Sequence, residues 1–368
     1  MISFVARGTV IALSLIFAIA SSVVAEELMG EFDLRKTTTS PVNDEIRYRT
    51  PNERQESGAM WDLGRYGSLS LLIDYEFSYE RYRRELEDGK RLDRSDGGDI
   101  QFGYFIEPLS WLEGEFVYVF ESATGKGLVD EAVAQVSLNK FTFEFGKMNP
   151  PFGEFYSYFV SGPVLEFGEI VETSLVVSYE YLSGFEFVLF SYDGDAKKEG
   201  EGGHEIDWGV ALIGEPSKVL EFRFSAVSDV ADAKDSPLAE EDRPYRTRVP
   251  GVSGSLALSL DDFDISLEYL GAAKKFDALE SSVNRPQAWN FEIAKSLGER
   301  LLAAWRVETS RELEDAPHWQ TGVTVSYQVY DEILLSADYL HGWFKEGTAS
   351  DFESNERDLV VVQISLGL

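Results

Sequence analysis

The stretch SLSLLIDYEFSYE, Ser68–Glu80, decides the fold. Leu69, Leu71, Ile73, Tyr75, Phe77 and Tyr79 alternate with Ser70, Leu72, Asp74, Glu76, Ser78 and Glu80. Successive side chains of a strand point to opposite faces, so this period of two gives one apolar and one polar face. The pattern recurs to the end of the chain. It predicts sixteen strands, near 68–82, 98–107, 111–121, 128–138, 141–147, 171–181, 185–192, 206–213, 219–228, 252–260, 263–270, 287–295, 301–309, 318–327, 333–341 and 359–368.

The connections alternate as well. Short links at 107–110, 139–140, 182–184, 214–218, 261–262, 296–300 and 328–332 interleave with long, charged ones at 83–97, 148–170, 193–205, 229–251, 271–286, 310–317 and 342–358. The link 122–127 is short for its set. Tight turns at one end and long loops at the other are the pattern of an outer-membrane barrel. An even strand count places both ends of the barrel on the short-turn, periplasmic side. A soluble sandwich would also alternate, packing its apolar face on a second layer. The outward positions Tyr79, Tyr181, Trp208, Trp289, Trp319, Tyr327 and Tyr339 lie near strand ends, where an interfacial girdle would place them. Val360, Val362, Ile364, Leu366 and Leu368 alternate to the last residue, which resembles a barrel-assembly signal ending in Leu. The expected fold is therefore all-β, a transmembrane antiparallel barrel of sixteen strands. Its surroundings would be outer-membrane lipid and lipopolysaccharide, and it would need the barrel assembly machinery.

Composition agrees. The 368 residues carry 65 acidic and 33 basic side chains, a formal charge of −32, and no cysteine. Disulfide scaffolds and thiolate metal sites are excluded. A nucleic-acid partner would call for a basic stripe, which is missing. After the leader no apolar run reaches the length of a membrane-spanning helix. Residues 1–25 read as a cleaved secretory signal: Arg7 is the single charge, Thr9–Ala20 an apolar core, and Val23-Val24-Ala25 a cleavage site. Residues 26–67 form a polar periplasmic segment, with Trp61 and Tyr66 as anchors beside the first strand. Residues 68–368 form the barrel.

If the apolar faces look outward, the inward set follows. It contains Asp74, Glu76, Glu80, Asp99, Glu113, Glu115, Glu131, Glu144, Glu172, Glu180, Glu186, Asp207, Glu221, Asp264, Glu268, Glu292, Glu308 and Asp338, with Arg223 and Arg306 as isolated bases. Rings of carboxylates favour cations in a pore.

The stretch GKMNPPFGEFYSYFVSGPVLEFGEI, Gly146–Ile170, is long and apolar for an exposed link. Pro150, Pro151 and Pro163 bar a continuous strand. Phe152, Phe155, Tyr156, Tyr158, Phe159, Leu165 and Phe167 need a surface, and in a water-filled barrel the inner wall provides one. The expectation is a loop between strands five and six that folds inward and narrows the pore. Its residues would be Lys147, Pro151, Phe152, Gly153, Glu154, Phe155, Ser161, Pro163, Glu166, Gly168 and Glu169. The alternative is a hydrophobic loop at the outer rim, against lipid or a neighbouring subunit.

Residues Val129–Tyr181 resemble the LbtU family of siderophore porins. The shared features are Asp130-Glu131-Ala132, then Gly146, Lys147, Pro151, Phe152, Gly153 and Phe155, then Ser161, Pro163, Gly168 and Glu169. Gly162 stands where the family has Asp, and Val164-Leu165 replaces a Leu-Thr pair. The resemblance implies a sixteen-stranded outer-membrane porin associated with iron–siderophore uptake. A homotrimer is the assembly that analogy with sixteen-stranded porins offers. The function expected is passive uptake of small solutes, with iron–siderophore complexes as the specific substrate. The alternatives are a general cation-preferring porin and a structural or adhesive barrel.

An enzyme is not expected. His204, His318 and His341 all fall on the long-loop side, but no G-x-S-x-G or H-E-x-x-H spacing accompanies them. A metal site from these three histidines would be the remaining use. The acidic Asp193–Asp207 link departs from the calcium-loop spacing. With no phosphate-binding or dinucleotide fingerprint, no cofactor is expected.

Overall fold

The structure, a computed structural model, describes residues 61–83, 90–194, 196, 205–233, 236, 245–260, 262–279, 283–298, 300–313, 316–345 and 355–367. The leader, residues 26–60, His204 and Leu368 lie outside these described residues.

The strands in chain order are β1 (Trp61–Asp62), β2 (Ser68–Arg83), β3 (Lys90–Leu109), β4 (Leu112–Glu121), β5 (Lys126–Leu138), β6 (Phe141–Met148), β7 (Glu172–Leu182), β8 (Phe185–Gly194) and β9 (Glu205–Ser217). They continue as β10 (Leu220–Val227), β11 (Gly251–Leu260), β12 (Phe263–Ala272), β13 (Gln287–Ser296), β14 (Leu301–Arg311), β15 (Trp319–Tyr330), β16 (Ile333–Trp343) and β17 (Glu356–Gly367). From β2 to β17 each strand pairs antiparallel with the next, and β17 returns to β2, from Glu356 against Arg83 to Gly367 against Leu72. The result is a closed, all-β barrel of sixteen strands, which leaves no free sheet edge. β1 is a two-residue addition: Trp61 pairs with Leu69 and Asp62 with Ser68, and the Tyr104 hydroxyl donates to the Tyr66 carbonyl.

Local chemistry explains the connections. Asn139 sits at φ 61° in the two-residue turn between β5 and β6, a conformation that Asn tolerates better than most residues. Between β4 and β5 the register passes from Glu131 opposite Val117 to Val129 opposite Tyr118. Asp130 is therefore the extra residue of a bulge, which bends the strand.

One expectation needs correction. The link expected at 83–97 is mostly strand, because β3 begins at Lys90 and pairs Arg91–Asp96 with Phe77–Tyr82. Arg94 and Asp96 stand outward, opposite Tyr79 and Phe77, and Asp93 inward, opposite Glu80, so charge on both faces hides the alternation.

Register separates two faces. Tyr181, Trp208, Trp289, Trp319, Tyr327 and Tyr339 are 45–64% exposed, so no protein layer covers the outward face. The opposite face holds the acids and two buried apolar clusters. One gathers Phe152, Leu165, Phe167 and Ile170 with Phe190, Tyr192, Leu270 and Phe276. The other gathers Tyr158 and Phe159 with Leu302, Leu340, Leu359 and Val361.

Candidate functional site

The predicted wall residues share the inward face by register. Asp74 stands opposite Asp99, Glu76 opposite Gln363, Glu115 opposite Val133 and Glu131 opposite Val117. Glu144 faces Gln135 and Val176, and Glu172 faces Met148. Arg223 faces Ile213 and Ser255, Glu268 faces Asn290, and Glu292 faces Arg306.

Residues 149–171 join β6 to β7, yet their polar groups are satisfied by strands far from both. The N–H groups of Glu154 and Phe155 donate to the two oxygens of Glu268 on β12, at 2.7 and 3.1 Å. The Tyr158 N–H and the Ser157 hydroxyl donate to Glu292 on β13, at 2.9 and 2.5 Å. Asp338 on β16 accepts from the Ser161 N–H and hydroxyl, at 3.0 and 3.1 Å. Glu308 on β14 accepts from the Val164 N–H at 2.7 Å. On β10, Ser225 accepts from the Gly153 N–H at 3.4 Å, and the Arg223 guanidinium lies 3.0 Å from Glu154 and donates to the Gly153 carbonyl at 3.2 Å. Buried carboxylates are costly unless paired or hydrogen-bonded. For the four wall carboxylates, backbone N–H groups, the hydroxyls of Ser157 and Ser161, and one buried arginine meet that requirement.

That arginine is Arg306, whose side chain is 0% exposed. It lies 3.1 Å from Glu308 and 3.7 Å from Glu292. It donates to the Ser157 hydroxyl at 3.1 Å and to the Ser161 carbonyl at 2.8 Å, and its guanidinium stacks 4.2 Å over the Phe159 ring. Arg306 is not the isolated base expected from sequence. It joins two wall carboxylates to the segment. Glu268, Glu292, Glu308 and Asp338 are likewise acceptors for the segment rather than bare lining charges.

The remaining predicted residues of the segment serve its packing. Phe152 and Pro163 are buried and Pro151 half-buried. Gly153 (φ 84°) is in the left-handed region, and so is Phe155 (φ 54°), a conformation that costs a non-glycine residue about 1 kcal/mol or more. Glu268 holds Phe155 there. A Cβ on Gly168 would fall 2.4 Å from Leu270. Glu166 belongs to the short 3-10 turn Val164–Gly168. Glu169 accepts from Asn149 at 2.9 Å.

Lys147 departs from the expectation. It pairs with Ala132 and Thr173, on the face of the exposed Phe145 and opposite Glu144 and Met148. Its ammonium donates to the Val129 carbonyl at 2.5 Å. The parity of a strand, two residues on from Phe145, turns it outward.

The segment's hydrogen bonds run to β10, β12, β13, β14 and β16. The inner wall of β2–β8 is strongly acidic. Asp74, Asp99 and Glu121 lie directly opposite one another across three strands, and Glu180 lies opposite Glu186. Like charges directly opposite are unfavourable in a sheet. Among described side chains on this wall, Lys126, opposite Glu121, is the one inward-facing Lys or Arg. The arrangement attracts cations to that wall.

The connection between β10 and β11 is also held by a buried acid. Asp229 accepts from the Tyr245 hydroxyl (2.5 Å) and from the N–H groups of Ala231 (3.1 Å) and Val249 (3.2 Å). Burial pushes its carboxyl up to about 6, against the lowering effect of those donors. The folded chain therefore binds this proton more tightly than the unfolded chain, where Asp titrates near about 3.9. The stability contributed is complete below about pH 4 and is lost as pH rises through about 6. Amide exchange at Val230, Ala231 and Val249 is expected to quicken across that window in the native protein. In Asp229→Asn the rates should follow only the intrinsic pH dependence of exchange. The same excess acceleration in both proteins would remove Asp229 as the cause.

Two histidines have structural partners. His318 Nδ1 lies 2.7 Å from the Ser310 carbonyl, and His341 Nδ1 lies 2.7 Å from Asp358 on the outer wall. The third, His204, is outside the described residues, so a three-histidine metal site is not assembled by the described part of the chain.

Solved structures of bacterial channels share this fold. DcaP, an outer membrane channel of Acinetobacter baumannii, superposes with a TM-score of 0.59 at 11% identity, covering 82% of this chain and 96% of that one. OprB of Pseudomonas putida gives 0.58 at 10% identity, covering 86% and 96%. An anion-selective porin from Comamonas acidovorans gives 0.59 at 8% identity, covering 82% and 100%. No family model and no curated protein matches the chain. At these identities the likeness is one of fold: this chain has the porin-like channel fold.

Proposed function

We propose that the protein is an outer-membrane channel for passive uptake of small solutes, preferring cations, with residues 149–171 as its constriction. The observation that carries this reading is the division of the lumen. One wall anchors the segment through Glu268, Glu292, Glu308 and Asp338, and the other leaves Asp74, Glu76, Asp99, Glu115, Glu131 and Glu144 on the inner face. Carboxylate-lined pores favour cations and repel anions. The reading includes export by residues 1–25 and a periplasmic place for residues 26–67.

Iron–siderophore complexes form the narrower reading, supported by the resemblance over Val129–Tyr181. Several residues of that resemblance, Phe152, Gly153, Phe155, Ser161 and Gly168, dock the segment on the wall, so they support the architecture more than a ligand. A neutral or cationic complex fits an acidic lumen. A carboxylate-rich one would need a basic patch, and Lys147 faces away.

Reversal potentials in planar bilayers under a salt gradient test the main reading. Cation preference is expected, and it should weaken when Glu76, Glu115 and Glu144 are changed together to Gln. Anion preference would overturn the assignment. Growth on chelated iron with the gene deleted tests the narrower reading, and normal growth would remove the siderophore.

A further inference from the structure

One inward-facing arginine is not absorbed by a close carboxylate. Arg81, Arg83, Arg223, Arg248 and Arg306 each lie within 3.1 Å of an acid oxygen. The acid that pairs with Arg357, Glu80, stands 4.0 Å away, and the Arg357 Nη2 donates to the neutral amide of Gln320 at 2.8 Å. Its Nε has no hydrogen-bond partner. Gln320 in turn donates to Glu308 at 2.8 Å, which fixes the amide. By parity Arg357 shares the lumen face of β17 with Leu359 and Val361, which pack with Tyr158 and Phe159 of the segment. It lies near the start of β17, on the long-connection side of that packing. Opposite it in register is Tyr82, whose hydroxyl donates to Glu80 at 2.6 Å and whose ring lies 6.4 Å from Phe344. The side chains of Arg357 and Glu80 are 16% and 27% exposed, so both reach the lumen.

A guanidinium and a carboxylate 4.0 Å apart, each held by a neutral neighbour, form a fixed dipole at the mouth. A lone cation meets Glu80 but is repelled by Arg357, and a lone anion meets the reverse. A solute whose carboxylate and ammonium share one carbon presents the opposite dipole and satisfies both poles at once. The guanidinium fork suits a carboxylate. Further along, the wall of β2–β8 carries Asp74, Glu76 and Glu115, which favour a second positive charge on the solute.

We propose that Arg357 and Glu80 form a mouth subsite for the head group of an α-amino acid. Arg357 takes the carboxylate and Glu80 the ammonium, and solutes with a cationic side chain fit best. This names the solute class of the cation channel and rests on that reading for the route beyond the mouth.

Ligand-observed NMR titration of the full chain in detergent tests this with three probes. They are L-lysine, Nα-acetyl-L-lysine, which lacks the α-ammonium, and cadaverine, which lacks the carboxylate. Saturable lysine binding is expected, tighter than that of Nα-acetyl-lysine. Arg357→Gln should weaken lysine about tenfold, the scale of one charge-assisted hydrogen bond. It should leave cadaverine equal or tighter, because a repelling charge is gone. Glu80→Gln should weaken lysine by a similar factor and leave Nα-acetyl-lysine equal or tighter. A general distortion of the mouth would not move two probes in opposite directions. If Arg357→Gln does not fold, Arg357→Lys, which keeps the charge without the fork, should still weaken lysine and spare cadaverine. Nα-acetyl-lysine binding as tightly as lysine in the wild type would overturn the proposal. So would lysine and cadaverine weakening together in either Arg357 variant. Lysine binding by a barrel whose reversal potential shows anion preference would break the channel reading and leave the subsite standing. Cation preference without lysine binding would do the reverse.

Discussion

Deleting residues 155–166 is expected to raise single-channel conductance in planar bilayers by about twofold or more, since conduction follows the open section of a pore and its lining. The deletion removes Tyr158 and Phe159 from the apolar cluster on β13–β17 and frees Glu292, Glu308, Asp338 and Arg306 to face water. Cation preference should also increase, because more carboxylates than bases are released. Unchanged conductance in a correctly folded deletion variant would mean that the segment does not narrow the path, and would move the constriction elsewhere.

Arg306→Met is expected to destabilise the barrel by about 3–5 kcal/mol, the usual cost of leaving buried partners unpaired. Glu292 and Glu308, each 1% exposed, would lose their shared counter-charge. The measurement is the unfolding midpoint in denaturant, started from detergent. The triple variant Arg306→Met, Glu292→Gln, Glu308→Gln should recover part of the loss, because a neutral trio of similar size no longer buries uncompensated charge. If the single and triple variants lose equally, the charges are not what fastens the segment, and the stacking on Phe159 would carry the effect.

The strands were legible because lipid on one side and water on the other force a two-residue alternation on every membrane-crossing segment. Where that pressure ends, legibility ends too. Arg91–Asp96 belong to β3 but are mostly charged on both faces, so they resemble loop. Lys147 was readable by parity with Phe145, yet its place beside the Pro-rich segment suggested the wrong face. The apolar residues of 149–171 pointed to a wall, but not to which wall. Whether Glu268, Glu292 and Asp338 line water or accept N–H groups depends on partners more than a hundred residues away in sequence, and no local pattern records that.

Those separations bear on the order in which the molecule takes shape. The hydrogen bonds of the segment span 114 residues to Glu268, 134 to Glu292, 144 to Glu308 and 177 to Asp338. Contacts this distant along the chain form late, because the intervening loop must close first. Residues 149–171 are made early but have no seat until β12, β13, β14 and β16 stand beside one another. Docking of the segment is thus coupled to completion of the sheet, and an assembly stalled before β12 would hold a hydrophobic strap with nowhere to dock.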